Sequence, residues 1–125
     1  MAVVLVVDDE YGIAKLLEDV LEDEGHRVLV ASDGRQALER AAEEQPAVVL
    51  TDYMMPVMDG AALIEAMAAD TALANVPIVL MSSVPEATVA ERVSGYTAFV
   101  RKPFKIFDVI VLIDELAETS RSTPG

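Results

Sequence analysis

The sequence contains no cysteine, so disulfide stapling and thiolate chemistry are both excluded. Aromatic residues are only 5% of the chain, and histidine occurs once, at His26. Cations are also scarce: 9 Lys and Arg stand against 22 Asp and Glu, a formal net charge of −13. That balance argues against direct binding to nucleic acid, which needs cations to replace phosphate counterions. No apolar run is long enough to span a bilayer, so membrane insertion is not expected. The opening residues Met1-Ala2-Val3-Val4 lack the charged head and cleavage site of a signal peptide. Together these absences predict a cytoplasmic protein.

What is present is apolar and ordered. Hydrophobic residues make up 53% of 125 residues, enough for one core and one domain. Short apolar runs at 2–7, 27–31, 47–51, 78–82 and 97–100 read as strands. Amphipathic stretches at 10–23, 33–44, 60–69, 86–93 and 104–118 read as helices. In the first, Ile13, Leu16, Leu17, Val20 and Leu21 are expected inward. In the last, Ile106, Val109, Ile110, Ile113 and Leu116 form the expected buried face. That leaves Phe107, Val111 and Leu112 either to cover helix 4 or the sheet edge, or to meet a partner or a second copy. Residues 119–125 are polar and predict a frayed tail after a domain at 1–118. His26 falls in a turn and is expected at the surface.

Strands alternating with helices predict an α/β fold, a doubly wound parallel sheet of five strands in the order 2-1-3-4-5 with five helices. In such sheets the chemistry gathers at the carboxyl ends of the strands, where the strand order reverses. Here the first strand ends in Asp8-Asp9 and the third leads into Asp52, at the start of a loop over 52–59. Neighbouring strands lie about 4.8 Å apart, so these carboxylates should converge. Clustered acids repel unless a cation intervenes, and hard oxygen donors suit Mg²⁺. A helix cap accounts for one aspartate but not for all three. A carboxylate can also act as a nucleophile and form an aspartyl phosphate, a role for which Asp52 is better placed than the pair. Ser82-Ser83 after the fourth strand and Lys102 after the fifth would add a hydroxyl and an ammonium at the same edge.

Four segments, in order, resemble the response-regulator receiver domains of two-component signalling. They are Val6-Val7-Asp8-Asp9-Glu10, Asp52-Tyr53-Met54-Met55-Pro56-Val57-Met58-Asp59-Gly60, Pro77-Ile78-Val79-Leu80-Met81-Ser82-Ser83 and Lys102-Pro103-Phe104. The resemblance spans residues 2–118 and implies a flavodoxin-like fold. It implies Asp52 as phosphoacceptor, with Mg²⁺ (or Mn²⁺ in its place) held by Asp9, Asp52 and the Met54 backbone carbonyl, and by Asp8 through water. It implies Ser82 as a switch hydroxyl, the Ser83 N–H and Lys102 as phosphoryl partners, Phe99 as the aromatic switch, and a cis Lys102–Pro103 bond. The donor would be a histidine kinase or phosphotransfer protein. The output face, for a downstream protein or a second copy, would be helix 4, strand 5 and helix 5. No independent enzyme activity is implied beyond the domain's own phosphorylation and dephosphorylation.

Departures from the family pattern carry expectations too. Ser82 stands where threonine is commoner, and the stretch from Ser82 to Lys102 is short, which implies a short or displaced helix 4. Met54 and Val84 are apolar where water would approach, which predicts slow loss of the phosphoryl group. Three other readings fit less well. A hydrolase of the haloacid-dehalogenase type wants an acid where Met54 stands. A degenerate receiver that only binds partners should have lost an acid or the lysine. A flavin carrier wants a hydroxyl-rich loop where Asp8-Asp9 stands.

Overall fold

The computed structural model describes residues 2–122, and side chains through 118. β1 (Val3–Val7) is followed by α1 (Tyr11–Asp23), β2 (Arg27–Ala31), α2 (Gly34–Glu43), β3 (Val48–Asp52) and α3 (Gly60–Ala69). The chain then forms β4 (Ile78–Ser82), α4 (Glu86–Ala90), β5 (Ala98–Arg101) and α5 (Ile106–Ser122). All strand pairs are parallel, in the order β2-β1-β3-β4-β5. The predicted doubly wound sheet is therefore the observed one.

The three central strands are apolar on both faces because both faces are covered. Leu5, Val7, Val49 and Leu80 point to one side, where Ala37, Leu63, Ile64, Met67 and Val89 from α2, α3 and α4 meet them. Val4, Val6, Leu50 and Met81 point to the other, against Leu17 and Leu21 of α1 and Val109, Ile113 and Ala117 of α5. Two aspartates start helices as expected of short acidic side chains: Asp33 accepts from the Gln36 N–H and Asp59 from the Ala62 N–H, both at 2.9 Å. Gly25 takes φ +93° just after α1, a conformation that only glycine adopts without strain.

Several expectations are corrected. β3 and β5 are shifted one residue forward, so Asp52 is the last strand residue and not the first of a loop. α4 has five residues and stops at Ala90, short of 93. α5 continues to Ser122, so residues 119–122 are helical where a tail was expected; 123–125 lie outside the described residues. Leu16 is 49% exposed and is not part of the buried face of α1. Leu112 packs on the core, whereas Phe107 and Val111 stay 69% and 38% exposed. His26 is not a surface residue: its side chain is 9% exposed and Nε2 lies 2.6 Å from Asp114 Oδ1 on α5. Among the described residues, no helix is long and apolar enough to cross a membrane.

Candidate functional site

Three strand ends meet at the carboxyl edge of the sheet. β1 runs straight into Asp8, whose side chain has no exposed surface. Its Oδ1 accepts the Glu10 N–H at 2.9 Å, while α1 begins after Glu10 with no side-chain cap. The capping role open to Asp8 or Asp9 in the sequence is thus not the one observed. Asp52 ends β3, buried, with Oδ1 accepting its neighbour's Tyr53 N–H at 2.9 Å. β5 delivers Lys102, whose backbone N–H donates to the Ser82 carbonyl at 2.8 Å and so fixes it to the end of β4. The Lys102–Pro103 bond is cis, as the resemblance implied.

The Lys102 ammonium lies between the two acids, 3.1 Å from Asp8 Oδ2 and 3.2 Å from Asp52 Oδ2. Two buried carboxylates and one cation leave an excess negative charge in a poorly solvated place. Burial, and then the Asp8 charge, push the Asp52 carboxyl above its ordinary range, against the opposing pull of Lys102. For Lys102, burial alone would lower the ammonium, but Asp52 and Asp8 together outweigh it and hold it above its usual value.

This excess is what a divalent ion would neutralise. Oxygen atoms of Asp8, Glu10 and Asp52 all lie within 4.8 Å of one another. An all-oxygen, carboxylate-rich set fits Mg²⁺. Asp9 and Glu10 are both exposed, and of the two Glu10 is the one within this distance of Asp8 and Asp52. Glu10 is a further carboxylate near the site that the strand-end pattern did not single out, although the Asp8-Asp9-Glu10 run contains it.

The other candidates lie around this edge. Ser82 is buried, and its Oγ accepts the Val84 N–H at 2.9 Å. Ser83 is exposed, and its carbonyl accepts from Arg101 Nε at 3.0 Å. Met54 is 63% exposed on the loop beyond Asp52, whereas Val84 is half-buried. Phe99 is half-buried on β5, packed against the α4 side of the core. Asp8, Asp52 and Lys102 are therefore in direct contact, Ser82 and Ser83 end the adjacent strand, and Asp9 stands apart.

The sequence and the fold are similar to those of known proteins. The model of the response regulator receiver domain matches residues 4–114. The DNA-binding response regulator MtrA of Mycolicibacterium smegmatis is 36% identical over 124 residues, which cover 98% of this chain and 53% of that one. The probable transcriptional regulator ycf27 of Guillardia theta is 39% identical over 105 residues, 81% of this chain and 39% of that one. The chain thus spans about half, or less, of the length of these relatives. Among solved structures, the receiver domain of the Francisella response regulator 1452 superposes with a TM-score of 0.88 at 29% identity, covering 96% of this chain and 99% of that one. The chemotaxis response regulator CheY4 of Vibrio cholerae gives 0.86 at 29% identity, covering 93% and 98%. With the family model matched over most of its length and the strand-end acids and lysine in contact, the chain belongs to the response-regulator receiver domains of two-component signalling.

Proposed function

We propose that Asp52 accepts a phosphoryl group from a phosphohistidine of a histidine kinase or phosphotransfer protein. The observation that carries this reading is the Lys102 ammonium within 3.2 Å of both Asp8 and Asp52. A carboxylate oxygen of Asp52 attacks phosphorus, the P–N bond breaks, and its electron pair leaves on the donor's imidazole. Lys102 neutralises charge on the transferred group. Asp8, Glu10 and Asp52 would hold Mg²⁺, or Mn²⁺ in its place, joined by the donors the family adds, Asp9 and the Met54 carbonyl. The ion supplies further charge neutralisation.

After transfer, the Ser82 hydroxyl leaves the Val84 N–H for the new phosphoryl oxygens, the Ser83 N–H also donates to them, and Phe99 turns inward. This biases a pre-existing equilibrium rather than creating a new shape. The face of α4, β5 and α5, where Phe107 and Val111 remain uncovered, is the output surface for a downstream protein or a second copy. The chain acts in the cytoplasm, turns over no separate substrate and itself contacts no nucleic acid. Retention of both acids and the lysine speaks against a degenerate, binding-only receiver.

The test is incubation with acetyl phosphate and Mg²⁺, followed by intact-mass measurement. The native chain should gain one phosphoryl group and Asp52→Ala none. An unmodified native chain would defeat the proposal.

A further inference from the structure

Glu86, in the first turn of the short helix α4, accepts a hydrogen bond from the Tyr96 hydroxyl, with Oη 3.0 Å from Oε2. The Tyr96 ring lies against Phe99, centroids 6.0 Å apart and planes inclined by 60°, within the range of favourable tilted aromatic pairs. Tyr96 thus contacts both Phe99 and Glu86 of α4.

Its backbone is held on either side. Gly95 sits at φ +94°, with Ile64 Cγ2 only 3.2 Å from where a Cβ would stand. The Thr97 N–H donates to the Ile78 carbonyl at 2.7 Å, and Thr97 Oγ1 accepts the Ile78 N–H at 3.0 Å. Anchored there, Tyr96 changes its contacts mainly through its side chain. The hydrogen bond to Glu86 also leaves a mark, because it holds the Tyr96 hydroxyl in its protonated form above the ordinary tyrosine range. Phe99 has no hydroxyl of its own with which to sense a neighbour.

We infer that Tyr96 is a positioning residue that couples the Phe99 switch to α4: its ring braces Phe99, and its hydroxyl holds the first turn of α4 through Glu86. When Phe99 turns inward it leaves the Tyr96 ring, and the Tyr96–Glu86 bond loosens with it. The inference rests on the reading of Asp52 as phosphoacceptor and Phe99 as switch. By linkage, a contact made only in the resting arrangement weakens binding of whatever favours the other one. Because this hydrogen bond is solvent-exposed, its loss should tighten binding of a phosphoryl mimic about two- to fivefold.

The experiment uses the full chain with ¹³C-labelled tyrosine and phenylalanine rings, titrated with beryllofluoride in Mg²⁺ buffer. In the native chain, the Phe99 and Tyr96 ring resonances should move together. Tyr96→Phe and Glu86→Ala should each bind beryllofluoride about two- to fivefold more tightly, and the double variant no more tightly than either alone. A Phe99 shift with Tyr96 unmoved, or unchanged affinity in Tyr96→Phe, overturns the coupling and leaves the phosphoacceptor reading intact. A native chain that, like Asp52→Ala, gives no response anywhere overturns that reading, and the inference with it.

Discussion

Replacing Gly60 with alanine tests how the structure locks α3 onto the strand that carries Asp52. Gly60 opens α3, and its N–H donates to the Tyr53 carbonyl at 2.8 Å. A Cβ added there would sit 2.6 Å from the Asp52 carbonyl oxygen, 3.0 Å from Tyr53 Cα and 3.1 Å from Leu80 Cδ1. Two of those three neighbours are backbone atoms of the site and cannot swing aside. Alanine in place of glycine normally favours a helix by about 0.5–1 kcal/mol. Overpacking against fixed atoms costs about 1–3 kcal/mol, and backbone obstruction puts this case at the upper end. The net expectation is a loss of about 2 kcal/mol, or a melting temperature lower by roughly 5–10 °C. Gly12, near the start of α1, is the internal control, because its Cβ would meet nothing within 4 Å. Gly12→Ala should be neutral or raise the melting point slightly. Thermal and urea unfolding followed by circular dichroism measure both. Acetyl-phosphate labelling should slow in Gly60→Ala alone, since relieving the overlap displaces Asp52. A Gly60→Ala chain as stable as the native one, or an equal loss in Gly12→Ala, would refute the packing argument.

Lys102→Met should abolish labelling of Asp52 and destabilise the chain by about 3 kcal/mol at neutral pH, because two buried carboxylates then face each other without a cation. Added Mg²⁺ should recover part of that loss in urea melts. Asp52→Asn should melt a few degrees above the native chain in metal-free buffer at neutral pH, because the folded state holds the Asp52 proton more tightly than the unfolded state does. The contribution of Asp52 is complete below its unfolded value and falls as pH climbs through the raised folded one, so the two melting points should converge in acid. If Met54 and Val84 leave attacking water without a hydrogen-bond partner, the phosphorylated chain decays slowly in Mg²⁺ buffer, and Met54→Asn, at a site 63% exposed, quickens the decay severalfold; equal decay rates in mass-spectrometric time courses would count against it.

Much of this was legible because periodicity and turn chemistry agreed. β2, α3 and β4 occupy the predicted residues, bounded by Gly25, Asp59-Gly60 and Pro77. β3 was misplaced by one residue because Asp52 is polar and a hydrophobic pattern stops before it. The ladder does not stop there: Asp52 is in register with Met81, and the Tyr53 N–H still reaches the Met81 carbonyl at 2.8 Å. Leu16 was misjudged because it lies about 100° round the helix from Leu17, at the margin of the stripe centred there. His26 needed tertiary knowledge, since its partner Asp114 is 88 residues away. Glu10 was overlooked for a related reason. The turn at Asp8, closed by its bond to the Glu10 N–H, decides which of the next two acids comes within reach of Asp8 and Asp52, and no spacing rule encodes that turn.

The site is where local consistency gives way, and the sign of the conflict is informative. The central strands bury mostly apolar side chains, yet β1 leads into the buried Asp8 and β3 ends in the buried Asp52, whose charged form is disfavoured there. A structural role alone would favour an amide or an apolar residue at Asp52, because the Lys102–Asp8 pair closes without it. Retaining Asp52 beside Asp8 stores repulsion that a cation or a change of charge at Asp52 can release. That stored repulsion gives the strand-end cluster a differential affinity between arrangements, which any ligand-driven switch requires. Repulsion at the metal-free acids and ligand response should therefore fall together: variants that neutralise Asp52 gain stability and lose the response.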